Sequence, residues 1–521
     1  MMQGQRTGEA AELDLDARVV DRGGGHGHAV VIGSGLAGLT AARALAGLMD
    51  RVTVIERDWL PRGPGRRRGV PQARHTHTLT TTAHEGLERL FPGIRHDLVR
   101  AGAVHVRVPA DLLTLGPAGW LPRFDAGLSR FSAGRDLIDA VVRDRVRADP
   151  KVAFLPDHEV VALQPGPQDT VAGVWVRARD RRSPDGFAPR RLMSAEFVVD
   201  ASGRGSRVPE WLAELGYEPP RETVSGTATT HATTLYAPPV GHVADFEGVL
   251  LMPAPDDPRR AVLSPVEGGR WSVTISTSTG TGTGDGSGPP TDHAQLLDAA
   301  GALRDPLLRD LIANATPLGP VYTCRTGSRL RHYEKLRRFP DQLLVVGDAL
   351  ATLDPAHGHG MTLAVECALV LEQVLTAHGT AVGVSHRLRR ALAHRLAPAW
   401  RPVTGPPDPQ DGLRARLGRR YVSRLAVAAT TDRQAATELL TAHESLAPPA
   451  ARALWATLRP RAETALPPPP TATHGPDARR RRPAAPTAPV IGVTTGSVRP
   501  RPTGSSAHWL AVTPAAERRR P

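Results

Sequence analysis

The stretch HAVVIGSGLAGLTAARALA, residues 28–46, decides the fold. An apolar run, Ala29–Ile32, leads directly into Gly33-Ser34-Gly35-Leu36-Ala37-Gly38, and a segment rich in alanine and leucine follows at helical spacing. Strand, tight turn and helix in that order are the context in which a GxGxxG pattern signals dinucleotide binding. Gly33 permits the turn, Gly35 leaves no side chain between backbone and pyrophosphate, and Gly38 lets the helix pack closely on the strand. Leu36 and Ala37 open the helix, whose free N–H groups and positive dipole end hold a diphosphate.

The next apolar run, Val52–Ile55, ends at Glu56, 23 positions after Gly33. A carboxylate is expected roughly 20 positions on, where it takes a ribose hydroxyl and repels a 2′-phosphate. The nucleotide is therefore FAD or NAD, with Arg57 slightly weakening the exclusion. The competing structural reading is a glycine turn in an ordinary βαβ unit.

The chain has 521 residues, enough for two or three domains. Two cysteines, Cys324 and Cys367, form no disulfide framework and suit a reducing cytoplasm. The first residues lack an apolar signal core, and no run of about 18 apolar residues suggests a membrane span. The formal charge is +13, but much of the excess sits after about residue 466, in a Pro-, Ala- and Thr-rich tail with Arg479–Arg482 and Arg518–Arg520. Such a tail reads as solvated and disordered, with a polyanion contact as the alternative. No aromatic-studded basic surface accompanies it, so no nucleic-acid partner is expected.

Residues 1–27 read as a flexible extension. Helices are expected from Thr82 to Leu90 and from near Arg135, strands at Val152–Ala162 paired with Val171–Ala178, and a buried strand at Phe197–Asp200. Residues 224–278, rich in Thr, Val and Ser, suggest an antiparallel sheet containing Val273–Ser276. The repeated glycines of 279–290 run into Pro289-Pro290 and read as a loop. A second strand–turn–helix unit follows: Leu343–Val346, then Gly347-Asp348, then a helix from about Gly360 to Leu375. Weaker helical patterns cover Arg419–Ala429 and Gln434–Ser445.

In that second unit Asp348 sits at the C-terminal end of a strand, where open α/β sheets bind ligands. It is suited to accept hydrogen bonds from a ribityl chain, and Gly358 and Gly360 let backbone approach a flat ring. The helix start would stabilise the negative charge of a reduced flavin, which favours flavin over nicotinamide.

These motifs together resemble the glutathione-reductase-type flavoproteins of the p-hydroxybenzoate hydroxylase branch, and within it the actinobacterial FAD-dependent epoxidases and monooxygenases of polyketide and polyether biosynthesis. The likeness covers about residues 28–460. It rests on GSGLAGL (33–39), RRGVPQARHTHTL (67–79), GRDLID (134–139), VVDASGRGS (198–206), PVEGGRWSVTIS (265–276) and VVGDALATLDPAHGHGM (345–361). The resemblance implies an α/β fold with a discontinuous Rossmann-type FAD-binding domain (28–215 and 325–400) and an inserted antiparallel β-sheet substrate domain (216–324). A C-terminal helical region (401–465) and the tail would follow.

By the same likeness Gly33, Gly35, Gly38 and Glu56 hold the ADP half of FAD, and Arg135 contacts the pyrophosphate side. Gly347 and Asp348 reach the ribityl or pyrophosphate region, and Gly358–Met361 face the ring. Asp200 and Arg204 match a motif linked to FAD and pyridine-nucleotide contacts, and Arg68 and Gln72 fall in a loop near the flavin. Where the family usually reads Asn-Pro-x-Tyr-Gly, this chain has Asp354 and His357 at the Asn and Tyr positions.

The implied activity is oxygen transfer from a C4a-hydroperoxyflavin to a lipophilic secondary metabolite, by epoxidation or hydroxylation. NAD(P)H, binding transiently, or a partner flavin reductase would supply electrons. His357 is the candidate acid near the ring. Trp271 reads as structural, with a substrate-lining role as the alternative. The pairs His26/His28, His75/His77 and His357/His359 lack a third ligand at metal spacing, so no metal is expected. The alternatives are a flavin-dependent reductase or desaturase without oxygen transfer, and a non-catalytic flavin- or polyanion-binding protein. A halogenase is disfavoured because no WxWxIP-like segment occurs.

Overall fold

The computed structural model describes residues 27–446, apart from 181–182, 184–185, 225–227, 280–288, 356–357 and 401–412. The N-terminal extension, most of the glycine-rich 279–290 segment, His357 and the basic tail lie outside the described residues.

Five parallel strands form the nucleotide-binding sheet, in the order Leu343–Val345, Phe197–Asp200, His28–Ile32, Arg51–Ile55, Val152–Leu155. Their residues are almost entirely buried, as strands covered on both faces require. Helices Leu36–Ala46, Arg135–Arg147 and Gly360–His378 pack together against this sheet, and an antiparallel meander (His158–Pro165, Val171–Ala178, Arg191–Ser194) packs against its strands. The expected long strand Val152–Ala162 is in fact two. Pro156 and Asp157, the latter at φ 56°, turn the chain, so 152–155 ends the parallel sheet and 158–165 starts the meander.

Gly360–His378 is long and apolar enough to cross a membrane by length and composition. Within that window 61% is buried, and the helix packs against Leu36–Ala46, Thr81–Leu90 and Val384–Trp400, as a core helix does.

The second layer is an eight-stranded sheet built around Ala228–Ala237, Arg260–Val266 and Arg270–Thr279. Residues 112–120 also contribute: Leu112–Gly116 pairs in parallel with Gly248–Leu251. A stretch grouped by sequence with the nucleotide-binding segment thus forms one edge of this large sheet. Period-two alternation gives this sheet two unlike faces. Ala232, Tyr236, Leu263, Trp271, Val273 and Ile275 share an apolar core with helices His293–Gly301 and Leu307–Ala313. The other face carries Thr229, His231, Thr233, Ser272, Thr274 and Ser276, all buried. Trp271 accordingly belongs to the core behind the sheet, edge-on to His242.

The helices Leu413–Ala428 and Arg433–Glu444 form a third core with Val106, Val108, Leu112, Leu250 and Met252. Glu444 at their end is buried in an ion pair with Arg130 and accepts a hydrogen bond from the Thr81 N–H (3.1 Å), at the start of helix Thr81–Leu90.

Candidate flavin site

The first glycine turn is held by backbone contact. Gly33 adopts φ 99°, and a Cβ on it would lie 2.6 Å from the Ala201 carbonyl oxygen; one on Gly38 would lie 1.9 Å from the Gly33 carbonyl oxygen. At Gly35, which caps the helix without a side-chain hydrogen bond, a Cβ would meet nothing within 4 Å. Two glycines are therefore required by the protein's own packing, and the third lies beneath open space at a helix N-terminus with free N–H donors.

Glu56 stands at the end of the second strand, buried, with its Oε2 accepting from Ser34 N (2.9 Å) and Ser34 Oγ (2.7 Å). A further partner was missed in the sequence. Arg67, buried, donates through Nη1 to Ser34 Oγ (2.9 Å) and Glu56 (3.3 Å), and through Nη2 to Asp139 (2.8 Å). Asp139 also accepts from Arg135 Nε at 2.7 Å, one helical turn away. Burial pushes the Asp139 carboxyl up, but Arg135 and Arg67 outweigh it and leave it below its ordinary value. The result is a buried row of alternating charge: Glu56, Arg67, Asp139, Arg135. Arg68, Gln72 and Arg57 are exposed, as is Arg204.

The second glycine turn abuts the first. Gly347 adopts φ 59°, and a Cβ there would lie 2.6 Å from Ala37 Cβ, so residues 310 positions apart touch. Asp348 beside it is half-buried, and its carboxylate makes no hydrogen bond among the described residues. Burial raises its carboxyl, while Arg135, Arg204 and Arg329 oppose that. Gly358 (φ 71°) and Gly360 have open space where a Cβ would stand, and Met361 is buried in the helix that follows. Asp200 ends the strand between the two motifs. It is fully buried and satisfied by Ser202 N (3.0 Å) and Ser206 Oγ (2.5 Å), with burial raising its carboxyl.

The polar face of the large sheet meets the loop that follows Arg67. His75 Nδ1 lies 2.8 Å from Thr233 Oγ1, and Thr76 Oγ1 lies 2.7 Å from Ser272 Oγ and 2.8 Å from Thr274 Oγ1. His231 is buried between Ser276 Oγ (2.8 Å) and Thr326 Oγ1 (3.1 Å), with its Nε2 3.4 Å from Asp354 Oδ1. Thr229 also donates to Asp354. Asp354 thus ties the segment ahead of Gly358 to the sheet. Burial holds the His75 and His77 imidazoles neutral: His75 falls to about 4, helped by His231 and Arg74, and His77 to about 3, helped by Arg135. His359 donates to the His443 carbonyl (2.9 Å), linking the C-terminal helices to the start of the long helix. No group of three or more His, Cys, Asp or Glu side chains suited to a metal occurs among the described residues.

These features fit a long dinucleotide. One end has an uncapped helix start over an open glycine and a ribose-competent carboxylate. The other has a half-buried carboxylate with no hydrogen-bond partner among the described residues, two open glycines in the segment that follows, and Arg135 of the charged row bearing on it. They define a two-motif, Rossmann-type flavoprotein. The chain belongs to the family described as FAD binding domain, whose pattern it matches over residues 27–405. It is 34% identical over 389 residues to Protein Rv3254 of Mycobacterium tuberculosis (strain ATCC 25618 / H37Rv), covering 72% of this chain and 78% of that protein. Among solved structures it is similar to the flavin-dependent brominase Bmp2 (15% identity, TM-score 0.58, 79% of this chain and 93% of that one). It is also similar to 2-methyl-3-hydroxypyridine-5-carboxylic acid oxygenase (19% identity, TM-score 0.51, 80% and 96%) and to the flavin-dependent halogenase CmlS (16%, TM-score 0.54, 78% and 73%). At these identities the structures share the fold.

Proposed function

We propose that the chain is a cytoplasmic FAD-dependent monooxygenase that epoxidises or hydroxylates a lipophilic secondary metabolite of polyketide or isoprenoid type. NAD(P)H, or a partner flavin reductase, would supply the electrons. The observation that carries this reading is the contact of the two glycine motifs at Ala37 and Gly347, together with Asp354, which ties the segment ahead of Gly358 to the buried polar face of the large sheet. Gly33, Gly35, Gly38 and Glu56 would hold the ADP half of FAD, with Arg67 orienting Glu56. Asp348 and Arg135 would hold the middle, and Gly358 and Gly360 the ring. Bound flavin would supply activation of molecular oxygen and its transfer to carbon.

The protein's own contribution is to orient and to exclude water. Thr233, Ser272, Thr274 and His231 form a hydroxyl-and-imidazole surface. A substrate that meets it in place of His75 or Thr76 should carry at least one hydrogen-bonding group on an otherwise apolar body, because apolar atoms in place of those partners would strand the face's hydroxyls. The Oγ-to-Oγ bonds among Thr76, Ser272, Thr274 and Thr233 can reverse donor and acceptor roles, which lets the face serve either kind of group. Epoxidation requires no protein nucleophile.

The test is spectroscopic and then kinetic. The purified chain should show bound, oxidised flavin, and NAD(P)H oxidation, or turnover with a supplied reductase, should require O₂ and consume it. Colourless, folded protein that rejects added FAD refutes the reading. Turnover on an organic acceptor without O₂ would make it a reductase.

A further inference from the structure

A partly enclosed cavity of about 270 Å³ lies behind the second glycine turn, between helix Val384–Trp400 and the segment 330–339. Leu330, Phe339, Val345, Leu350, Leu392 and Leu396 give it apolar walls. Val345 and Leu350 flank the turn that carries Asp348, so the cavity backs onto that turn.

Arg389 and Glu334 are the charged side chains in its lining, and Arg389 sets the cavity apart. Arg389 lines it and is 8% exposed. Its Nη1 donates to the Tyr333 carbonyl, and its guanidinium lies over the Phe339 ring, 4.4 Å from Cζ to centroid. Its Nε–H is buried with no acceptor, and no ion pair to it exists among the described residues. The acidic groups that bear on it, Asp341 and Glu334, are engaged elsewhere. Glu334 accepts from His332 Nδ1 (2.8 Å), and Asp341 accepts from Gly383 N and Ser385 N at the start of the same helix. Burial pulls the guanidinium down to about 10, still charged at neutral pH. A buried cation without a hydrogen-bonded counter-ion is strongly unfavourable, and a guanidinium's planar fork matches the two oxygens of a carboxylate.

We propose that this cavity is a binding site for a small organic acid, its carboxylate on Arg389 and its apolar body against Phe339, Leu392 and Leu396. At roughly 30 Å³ per non-hydrogen atom, the share of a water molecule in the liquid, the volume of about 270 Å³ suits about nine atoms, the size of hexanoate to octanoate. The proposal is independent of the oxygenase reading, since none of its residues belongs to the flavin cradle.

Isothermal titration of the full chain with octanoate, and separately with 1-octanol, tests it. Octanoate should bind one to one with a Kd on the order of 100 μM or tighter, and the alcohol at least about tenfold more weakly. Arg389→Met removes the charge at similar length, and Ala393→Phe fills the cavity while leaving the guanidinium in place. Each should weaken octanoate at least about tenfold and leave flavin content unchanged. Equal binding of acid and alcohol, or wild-type affinity in Ala393→Phe or in a folded Arg389→Met, overturns the proposal. So does the lack of any binding up to about 5 mM octanoate.

Discussion

The glycine cradle and the polar sheet face are the two halves of the candidate site, and they are specified in opposite ways. The cradle is written in backbone. A Cβ placed on Gly33, Gly38 or Gly347 would lie 2.6 Å or less from a neighbouring atom, so one added carbon is intolerable there. The sheet face is written in side-chain hydrogen bonds between residues far apart, such as His75 with Thr233 and Thr76 with Ser272. Each of those contributes modestly and can be replaced singly. The first half should therefore fail all at once, and the second by degrees.

The largest effect tests that contrast inside the cradle itself. Gly38→Val drives a side chain into the Gly33 carbonyl, and the expected outcome is loss of both the fold around the first strand and flavin retention. Gly35→Val meets nothing in the protein. Its flavin-free form should unfold within about 1 kcal/mol of wild type, while FAD affinity falls at least about 100-fold. Thermal melts and fluorescence titration with FAD separate the two. If Gly35→Val retains flavin at wild-type affinity, the diphosphate does not lie over that turn.

The next effect concerns the arginines beside Glu56. Arg67→Met leaves Glu56 and Asp139 buried without their shared cation. Breaking a buried pair in this way costs about 3–5 kcal/mol. Arg68→Met, at an exposed position, should change stability by less than about 0.5 kcal/mol. Urea denaturation of both variants checks this, and equal effects would break the assignment of Arg67 to the buried row.

That pair also shows what was legible. The four strands and two turns of the cradle could be read because glycine spacing and apolar runs are local signals. Which of three consecutive arginines turns inward could not, because Asp139, 72 positions away, decides it. Asp139 itself had a local signal, lying four residues after Arg135 on one helix face. The sheet face was harder. Thr229-Thr230-His231-Ala232-Thr233-Thr234 has polar residues at both parities, so alternation alone does not say which face is buried against the loop. Asp354 stood out by its position in the motif, but its link to His231 depends on tertiary packing. The strand break at Pro156-Asp157 did have a local signal, and the apolar residues around it masked it.

Acid should destabilise the fold as buried imidazoles take up protons. His84, 3% exposed and edge-on to Phe131, is lowered to about 4, first by burial and then by the Arg95 charge. Because its folded value lies below the unfolded 6.5, its contribution is fully present above pH 6.5 and is lost as pH falls toward 4. Over that window the unfolded chain takes up a proton that the folded chain refuses, at about 1.4 kcal/mol per pH unit. His75 and His77 act in the same direction. His84→Gln should flatten the acid limb of a stability–pH curve by about one proton. An unchanged slope would place the acid sensitivity elsewhere.

The smallest effect lies on the sheet face. Thr76→Val conserves shape and removes the hydroxyl that bridges Ser272 and Thr274. Thr274 keeps Thr233 at 2.8 Å, so only Ser272 loses its recorded side-chain partner. The expected loss is about 1–2 kcal/mol, set by one stranded buried hydroxyl and no cavity. FAD affinity should stay within about threefold of wild type, since the hydroxyl faces the sheet and not the cradle. A collapse of flavin binding in this variant would mean that the two halves are not separately specified. The loop 67–79 would then act as a single strut, transmitting the loss at Thr76 back to Arg67 and Glu56.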